Sequence, residues 1–494
     1  MKLIQIHAND TVAVATEALP KGTACRVGDV TVTVRDEIPF GHKVALHPVK
    51  AGENILKYGY EIGHATVDIA AGEHVHTHNL ATNLKGTVRY RYENHMEQQT
   101  ADNADDWRFD GYMRADGSVG TRNELWIVPT VVCVNHTAER IVAAAKARFN
   151  DFADDLLSLP HVTGCSQLGE DQDRTMRLLS GIVHNPNAGG VLILSLGCEN
   201  NNLETFLPYL GDYDKSRIRC IVAQSEDEME ASLRAIGQIA AVMKIDRRQS
   251  APVSKLTLGL KCGGSDAFSG ITANVLCGRV TDLLTAAGGS AVMSEVPEMF
   301  GAEALLMRRA KNEAVFSDLA SMINGFKKYY LGYGQPVGEN PSPGNKSGGI
   351  TTLEEKSLGC VQKGGNAEIT SILNYGEAAK GRGLHLVTGP GNDPVSCTNL
   401  TASGANLLLF TTGRGTPFGA PIPTIKISSN SALAARKPNW IDYNAGAVLE
   451  QTTYDVATKE LLSLLLDVAS GRIRTKNEQN GYKGISIFRN GATL

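Results

Sequence analysis

The chain has twelve histidines in 494 residues, and three of them, His74, His76 and His78, fall within the five residues HVHTH. In an extended strand the side chains at i, i+2 and i+4 share one face, so this spacing predicts three imidazoles pointing the same way. Three such groups repel one another once protonated. A divalent cation, which binds the neutral imidazoles, removes that conflict. A polar strand face open to water fits the same spacing, and the run alone leaves both readings open.

Further chemistry is concentrated where short apolar runs end. HVTG leads into GCSQLGED at 164–171, LILSL into GCENN at 197–201, and TLGL into KCGGSD at 261–266. AVMS leads into EVPE at 295–298, LVTG into PGND at 390–393, and LLFTTG into RGTP at 414–417. Ligands of open parallel sheets bind at the carboxyl ends of strands. Polar, glycine-rich loops are ordinary there, but this density of cysteine and acid beside glycine predicts a shared site.

Arg414, between two glycines, could clamp a carboxylate with its planar fork; a structural salt bridge is the alternative. The turn-dense NPSPGNKSGG at 340–349 presents Asn345 and Lys346 on a stiff loop. Lys346 there binds a carboxylate or, if desolvated, serves as a base; an exposed surface lysine is the other reading. Glu170, Asp171, Glu199, Asp266 and Glu295 are candidate acids and bases, although Asp171 and Asp266 also fit helix N-caps. The expected catalytic residues are Glu170, Lys346 and His76, with Glu170 or a histidine of the 74–78 run transferring the proton and Lys346, with Arg414, holding substrate charge. Arg414, Asn345, Asp266, Ser265 and Asn200 are expected to bind substrate, and His74, His76, His78, Cys165 and Glu199 to hold a metal. Cys165, Cys198 and Cys360 each follow a glycine and could carry an iron–sulfur cluster with one open iron, with simple packing the preferred reading.

These residues need elements to hold them. Residues 1–88 read as short β segments between Gly, Pro and Asp signals, a small all-β module. Residues 89–109 are polar and charged and are expected to form an exposed linker. From 110 onward, short β-rich runs alternate with helical patterns such as TAERIVAAAKARF and TKELLSLLLDVAS. That alternation predicts βαβ units with mainly parallel sheets, in one α/β domain over 110–250 and a second over 251–494.

Composition narrows the function. The chain is 42% hydrophobic and 20% charged, with 51 glycines and a net charge of −4. It has no basic stripe, so no nucleic-acid partner is expected. It has no long apolar run and no signal-peptide pattern, so a cytoplasmic protein without a membrane segment is expected. Nine cysteines, an odd number with no CxxC, argue against a disulfide framework or zinc knuckle. Fingerprints of nicotinamide enzymes, P-loop ATPases and serine hydrolases are absent.

The motifs GHKVAL at 41–46, IAAGEHVHTHN at 69–79, GCSQLGED at 164–171, CGGSDAFSGITAN at 262–274, SEVPEMFGAE at 294–303 and NPSPGNKSGGITTLEEKSLG at 340–359 occur in one order along the chain. In this the sequence resembles the altronate/galactarate dehydratase family over nearly its whole length. The resemblance implies an N-terminal SAF (antifreeze-like) β module followed by α/β domains. It implies a hydro-lyase dependent on Fe(II) or Mn(II), and a small sugar-acid substrate. The histidine run favours the altronate-like branch, with D-altronate losing water across C2 and C3 to give 2-keto-3-deoxy-D-gluconate. Galactarate dehydration or a sulfolactate-type elimination is the alternative. A homodimer is expected.

Overall fold

The structure, a computed structural model, describes residues 2–93 and 107–494. Most of the segment expected as a linker over 89–109 lies outside those residues. Its described start alternates exposed Arg89, Arg91 and Glu93 with half-buried Tyr90 and Tyr92. Tyr90 donates to Glu303 at 3.1 Å and the Tyr92 ring meets Phe316 edge-on at 5.4 Å, because two aromatic rings in an otherwise polar run find the apolar flank of the helix Glu313–Gly332.

Residues 3–81 form a module of strands only, in a four-stranded, a three-stranded and a two-stranded antiparallel sheet. The four-stranded sheet runs Leu3–Ile4, Val12–Ala15, Lys43–Ala45, His74–Val75, and pairs Val44 with His74. Ile62, Val75 and Leu80 share one apolar core with Phe300, Leu353 and Leu358 of the C-terminal domain. The module is therefore packed onto that domain through a continuous interior.

The strands Arg108–Met113 and Arg248–Pro252 pair antiparallel and staple together the entry and exit of the first α/β unit. Inside it, Leu156–Ser158, Glu124–Pro129, Ala188–Ser195 and Ile218–Val222 form a parallel sheet in that order. ELWIVP at 124–129 is buried at every position, as expected of a strand covered on both faces. The second unit holds a seven-stranded parallel sheet. Its order is Ile369–Leu373, Gly383–Val387, Ser290–Met293, Thr257–Cys262, Leu407–Thr412, Thr424–Ser428, Tyr443–Asn444. Trp126, Leu179 and Ile193 of the first unit pack in one core with Val292, Leu400 and Phe410 of the second. The expected class, a β module followed by α/β domains with parallel sheets, is what the chain adopts. No helix among the described residues is long and apolar enough to cross a membrane.

Two elements position the site. In the seven-stranded sheet the connections run one way from Thr257–Cys262 and return beyond Leu407–Thr412, so a crevice opens between these neighbours at their carboxyl ends. Above it lies the helix Leu353–Cys360, LEEKSLGC, every residue of which is buried. A helix with three charged side chains is buried on all sides only when each charge has a partner.

Candidate functional site

The histidine run does not lie on one long strand. The strand ends at Val75, and the Asn79 side chain closes a turn by accepting from the His76 amide at 2.9 Å and donating to the His74 carbonyl at 2.9 Å. The alternation expected for His74, His76 and His78 is therefore broken after one step. His78 is exposed, with its ring 5.4 Å from that of His74. The third member of the group comes instead from the neighbouring strand. His42, just before Lys43–Ala45, puts Nδ1 3.0 Å from His74 Nε2, and His42, His74 and His76 bring one ring nitrogen each within 4.8 Å of one another. The antiparallel pairing of Val44 with His74 produces this contact, and sequence spacing could not show it.

The β module holds the trio against the C-terminal domain. His76 Nδ1 lies 3.1 Å from Thr351 Oγ1, and His42 Nε2 lies 3.4 Å from the Ser347 carbonyl. Lys43, fully buried, donates to the Gly349 carbonyl at 2.8 Å, to Thr351 Oγ1 at 2.7 Å and to Glu355 at 2.8 Å. Lys57 reaches the same carboxylate at 2.7 Å. Gly349, at φ +96°, passes so close to the module that a Cβ would meet the Gly41 carbonyl oxygen at 2.2 Å, which is why the loop needs glycine there.

These surroundings keep the imidazoles neutral. Burial pushes His74 down to about 4, and nearby His42, His78 and Lys43 act in the same direction. Burial, then Lys43, His42 and His74, push His76 down to about 3; His42 is also lowered, chiefly by burial. Burial alone would raise Glu355, but Lys43 and Lys57 overcome it and hold the carboxyl at about 2. Burial brings Lys43 down to about 8 despite Glu355. Three neutral, adjacent imidazoles over a fixed carboxylate–lysine platform form a donor set suited to a divalent first-row cation.

A second group of ionisable side chains lies beneath, at the ends of Thr257–Cys262 and Ser290–Met293. Cys262 Sγ and Cys360 Sγ are 3.4 Å apart, and both contact Glu298 Oε2, at 3.2 and 3.1 Å. Lys363 donates to Cys262 Sγ at 2.7 Å, Lys356 pairs with Glu298 at 2.8 Å, and Lys261 pairs with Glu295 and, at 2.8 Å, with Asp393. The hydrogen bond from Cys360 lowers Cys262 to about 6 against burial, with help from Lys363 and Lys261. Glu295 has a left-handed backbone at φ 73°, rare for a side chain of its size. A small cavity lined by Tyr58, Ser265, Glu355, Lys356 and Cys360 lies between the two groups.

Several expected residues converge here with changed roles. Asp266 is saturated: its carboxylate accepts from Ser269 N at 3.0 Å, Ser269 Oγ at 2.9 Å, Ser429 Oγ at 2.7 Å and Asn430 Nδ2 at 2.9 Å. Asn345 donates to the Ser265 carbonyl at 2.8 Å and accepts from Ser342 Oγ at 2.9 Å and Lys356 at 3.2 Å, so its amide mainly braces the loop. Ser265 lines the cavity. Arg414 is exposed, has no ion-pair partner among the described residues, and runs its guanidinium past Gly344 of the 340–349 loop. Lys346 is half-buried on that loop, next to the Ser347 carbonyl that meets His42.

The other expected residues lie beyond the strands of the parallel sheet of the first α/β unit. The Glu199 carboxylate accepts from Thr130 Oγ1 at 2.5 Å, Ser195 Oγ at 2.6 Å, Gly197 N at 2.6 Å and Leu196 N at 3.1 Å. It is an anchor for its own loop, with its hydrogen-bonding capacity spent. Asn200 Oδ1 accepts from Ser166 N at 2.8 Å, and Glu170, largely exposed, pairs with Arg174. Cys165 is exposed in the same region. None of these four contacts the histidine trio. The grouping of Cys165 and Cys198 with Cys360 is likewise not formed, because Cys360 is buried against Cys262. His42, Lys43, Glu298 and Lys363 were not anticipated. The signal available was charge inside apolar pattern: Lys261 ends the run LTLGLK, and LEEKSLGC carries three charges on a helix with apolar ends.

Three family models match the chain: the altronate/galactarate dehydratase SAF domain over residues 1–83, the D-galactarate dehydratase/altronate hydrolase second domain over 111–244, and the D-galactarate/altronate dehydratase C-terminal region over 253–493. The chain is 47% identical to altronate dehydratase of Bacillus subtilis (strain 168), over 99% of each chain. It is 46% identical to altronate dehydratase of Escherichia coli (strain K12), over 100% of each. It is 34% identical to galactarate dehydratase (L-threo-forming) of Escherichia coli (strain K12), over 98% of this chain and 96% of that one.

Proposed function

Because this chain belongs to the altronate/galactarate dehydratase family, we propose that its histidine trio and the crevice beneath carry out the elimination of water from D-altronate. The chain is a sugar-acid dehydratase, a hydro-lyase. D-altronate is favoured over galactarate because the two altronate dehydratases resemble the chain more strongly, at 47% and 46% against 34% identity.

His42, His74 and His76 would hold the divalent cation, Fe(II) or Mn(II), as neutral donors. Bound there, it supplies Lewis acidity that makes the carbon beside a carboxylate more acidic. The chain's own groups do the rest. Arg414, unpaired beside the 340–349 loop, donates a two-pronged hydrogen bond to the substrate carboxylate. His78, the member of the run left outside the trio, takes the proton from C2. Lys346 gives a proton to the 3-hydroxyl as it leaves. The enol so formed becomes the 2-keto-3-deoxy acid. The buried Lys43–Glu355–Lys57 group holds the module in place over the crevice, and burial there, with the charge of Lys43, keeps the imidazoles neutral.

The observation that carries this reading is the trio of neutral histidines fixed over the carboxyl edge of the seven-stranded sheet. Its test is keto-acid formation from D-altronate and from galactarate under anaerobic conditions, before and after removal of divalent ions. Turnover of altronate should vanish on chelation and return with Fe(II) or Mn(II), and His42→Ala should lose it as fully as His76→Ala. Undiminished turnover by the stripped protein would overturn the reading.

A further inference from the structure

The parallel sheet of the first α/β unit, Leu156–Ser158, Glu124–Pro129, Ala188–Ser195 and Ile218–Val222, ends in chemistry that the dehydration leaves unused. Of the nine cysteines, five are buried and one is half-buried; the three exposed ones are Cys133, Cys165 and Cys198. Cysteine is among the most buried residue types, so three exposed thiols at one edge of one sheet call for a cause.

Each follows a different strand. Cys133 comes after Glu124–Pro129, Cys165 after Leu156–Ser158 and Cys198 after Ala188–Ser195, and the first of these strands lies between the other two. Adjacent strands are about 4.8 Å apart, so the three exits are neighbours. Their loops are also fastened together. Val132 N donates to the Thr163 carbonyl at 3.0 Å, Asn201 N to the Gly164 carbonyl at 3.0 Å, and Asn201 Nδ2 to the Thr130 carbonyl at 2.9 Å. Gly164 sits so tightly that a Cβ would lie 2.0 Å from the Thr130 carbonyl oxygen. Glu199 spends its carboxylate inward, on its own loop and on Thr130 of the neighbouring exit. Two buried side-chain oxygens, Asn201 Oδ1 of these loops and Asn135 Oδ1 at the start of the helix Asn135–Arg148, have no hydrogen-bond partner.

Thiolates select soft metals: zinc, copper(I) or iron as a sulfide cluster. A lone zinc, with Zn–S near 2.3 Å, needs its sulfurs within roughly 4 Å of one another. Two groups of the described residues bring three ligand atoms within 4.8 Å, and these three thiols are neither of them. They are spread too widely for one ion, which favours a centre with several metals.

We propose that Cys133, Cys165 and Cys198 hold an iron–sulfur cluster, three of its irons on thiolates and one open to an oxygen ligand from water or a small hydroxy acid. The site is separate from the histidine trio and stands whether or not that trio performs the dehydration.

The test is iron and acid-labile sulfide content, with the visible spectrum, of the full chain purified anaerobically. About four of each per chain, and a broad brown absorbance, are expected. C133S, C165S and C198S should each remove more than half of the sulfide, and the triple variant all of it, while C220S on the same sheet keeps it. Should the serine variants fail to fold, alkylation of the wild-type chain decides: Cys133, Cys165 and Cys198 should resist iodoacetamide until the cluster is oxidised away. Absence of labile sulfide, zinc in its place, or immediate alkylation of all three thiols in the anaerobic protein would overturn the proposal.

Discussion

At the carboxyl edge of the seven-stranded sheet, Lys261, Lys356 and Lys363 are buried and matched by Glu295, Glu298 and Asp393 from other elements. At the carboxyl edge of the parallel sheet of the first α/β unit, Cys133, Cys165 and Cys198 stay exposed, and Glu199 is satisfied by neutral donors, Ser195 and Gly197 of its own strand exit and Thr130 of the neighbouring one. Both are ends of parallel sheets with glycine-rich exits. The difference is the β module, which covers the first edge and not the second. Covering a sheet end removes water from whatever charges lie there, so those charges must find one another across elements. An open end makes no such demand.

The largest effect should come from undoing the cover. Glu355→Ala leaves Lys43 and Lys57 buried without a counter-ion and should cost roughly 3–5 kcal/mol in urea unfolding, with earlier proteolysis between the module and the C-terminal domain. If it costs no more than a surface substitution, the module is not held by these charges. Next, His76→Ala should lower turnover of D-altronate by at least roughly 100-fold at limiting Fe(II), while its unfolding midpoint stays near that of the parent. Arg414→Lys keeps the charge but loses the planar fork, and should raise KM about 10-fold with a smaller change in kcat. Glu199→Gln should weaken the open edge by about 1 kcal/mol and leave kcat on altronate unchanged; a large loss of turnover would merge the two edges into one site.

The pH dependence sharpens the same contrast. The folded pKa values of His74 and His76, about 4 and about 3, lie below that of an unfolded histidine near 6.5. Between those values the unfolded chain binds more protons, so this contribution to stability is complete above pH 6.5 and falls as the pH drops through that window. Cation binding by the trio should accordingly persist to about pH 5 in a metal titration; loss centred near 6.5 would mean ordinary, solvated imidazoles.

Much of the fold was legible. The β module and the alternation of strand and helix showed in local pattern, because burial on both faces of a parallel strand leaves an apolar run such as ELWIVP that needs no partner to be recognised. Parts of the proposed site were legible too: its histidines by type, and the glycine-flanked Arg414 proposed for the substrate carboxylate by position. The hydrogen-bonded fates of Asp266, Asn345 and Glu199 were not, since the donors that saturate Asp266 include Ser429 and Asn430, more than 160 positions away.

By itself the sequence determined which chemical groups are available and which secondary structures carry them: three close histidines, a stiff 340–349 loop, cysteines beside glycines at strand exits. Only the tertiary structure decided which of them meet. It put His42 in the place expected for His78, set Cys360 beside Cys262 rather than Cys165, and left Cys133, Cys165 and Cys198 exposed at the exits of neighbouring strands. Strand register and domain packing settle such partnerships, and both arise from contacts between residues far apart in the chain, which local spacing does not encode.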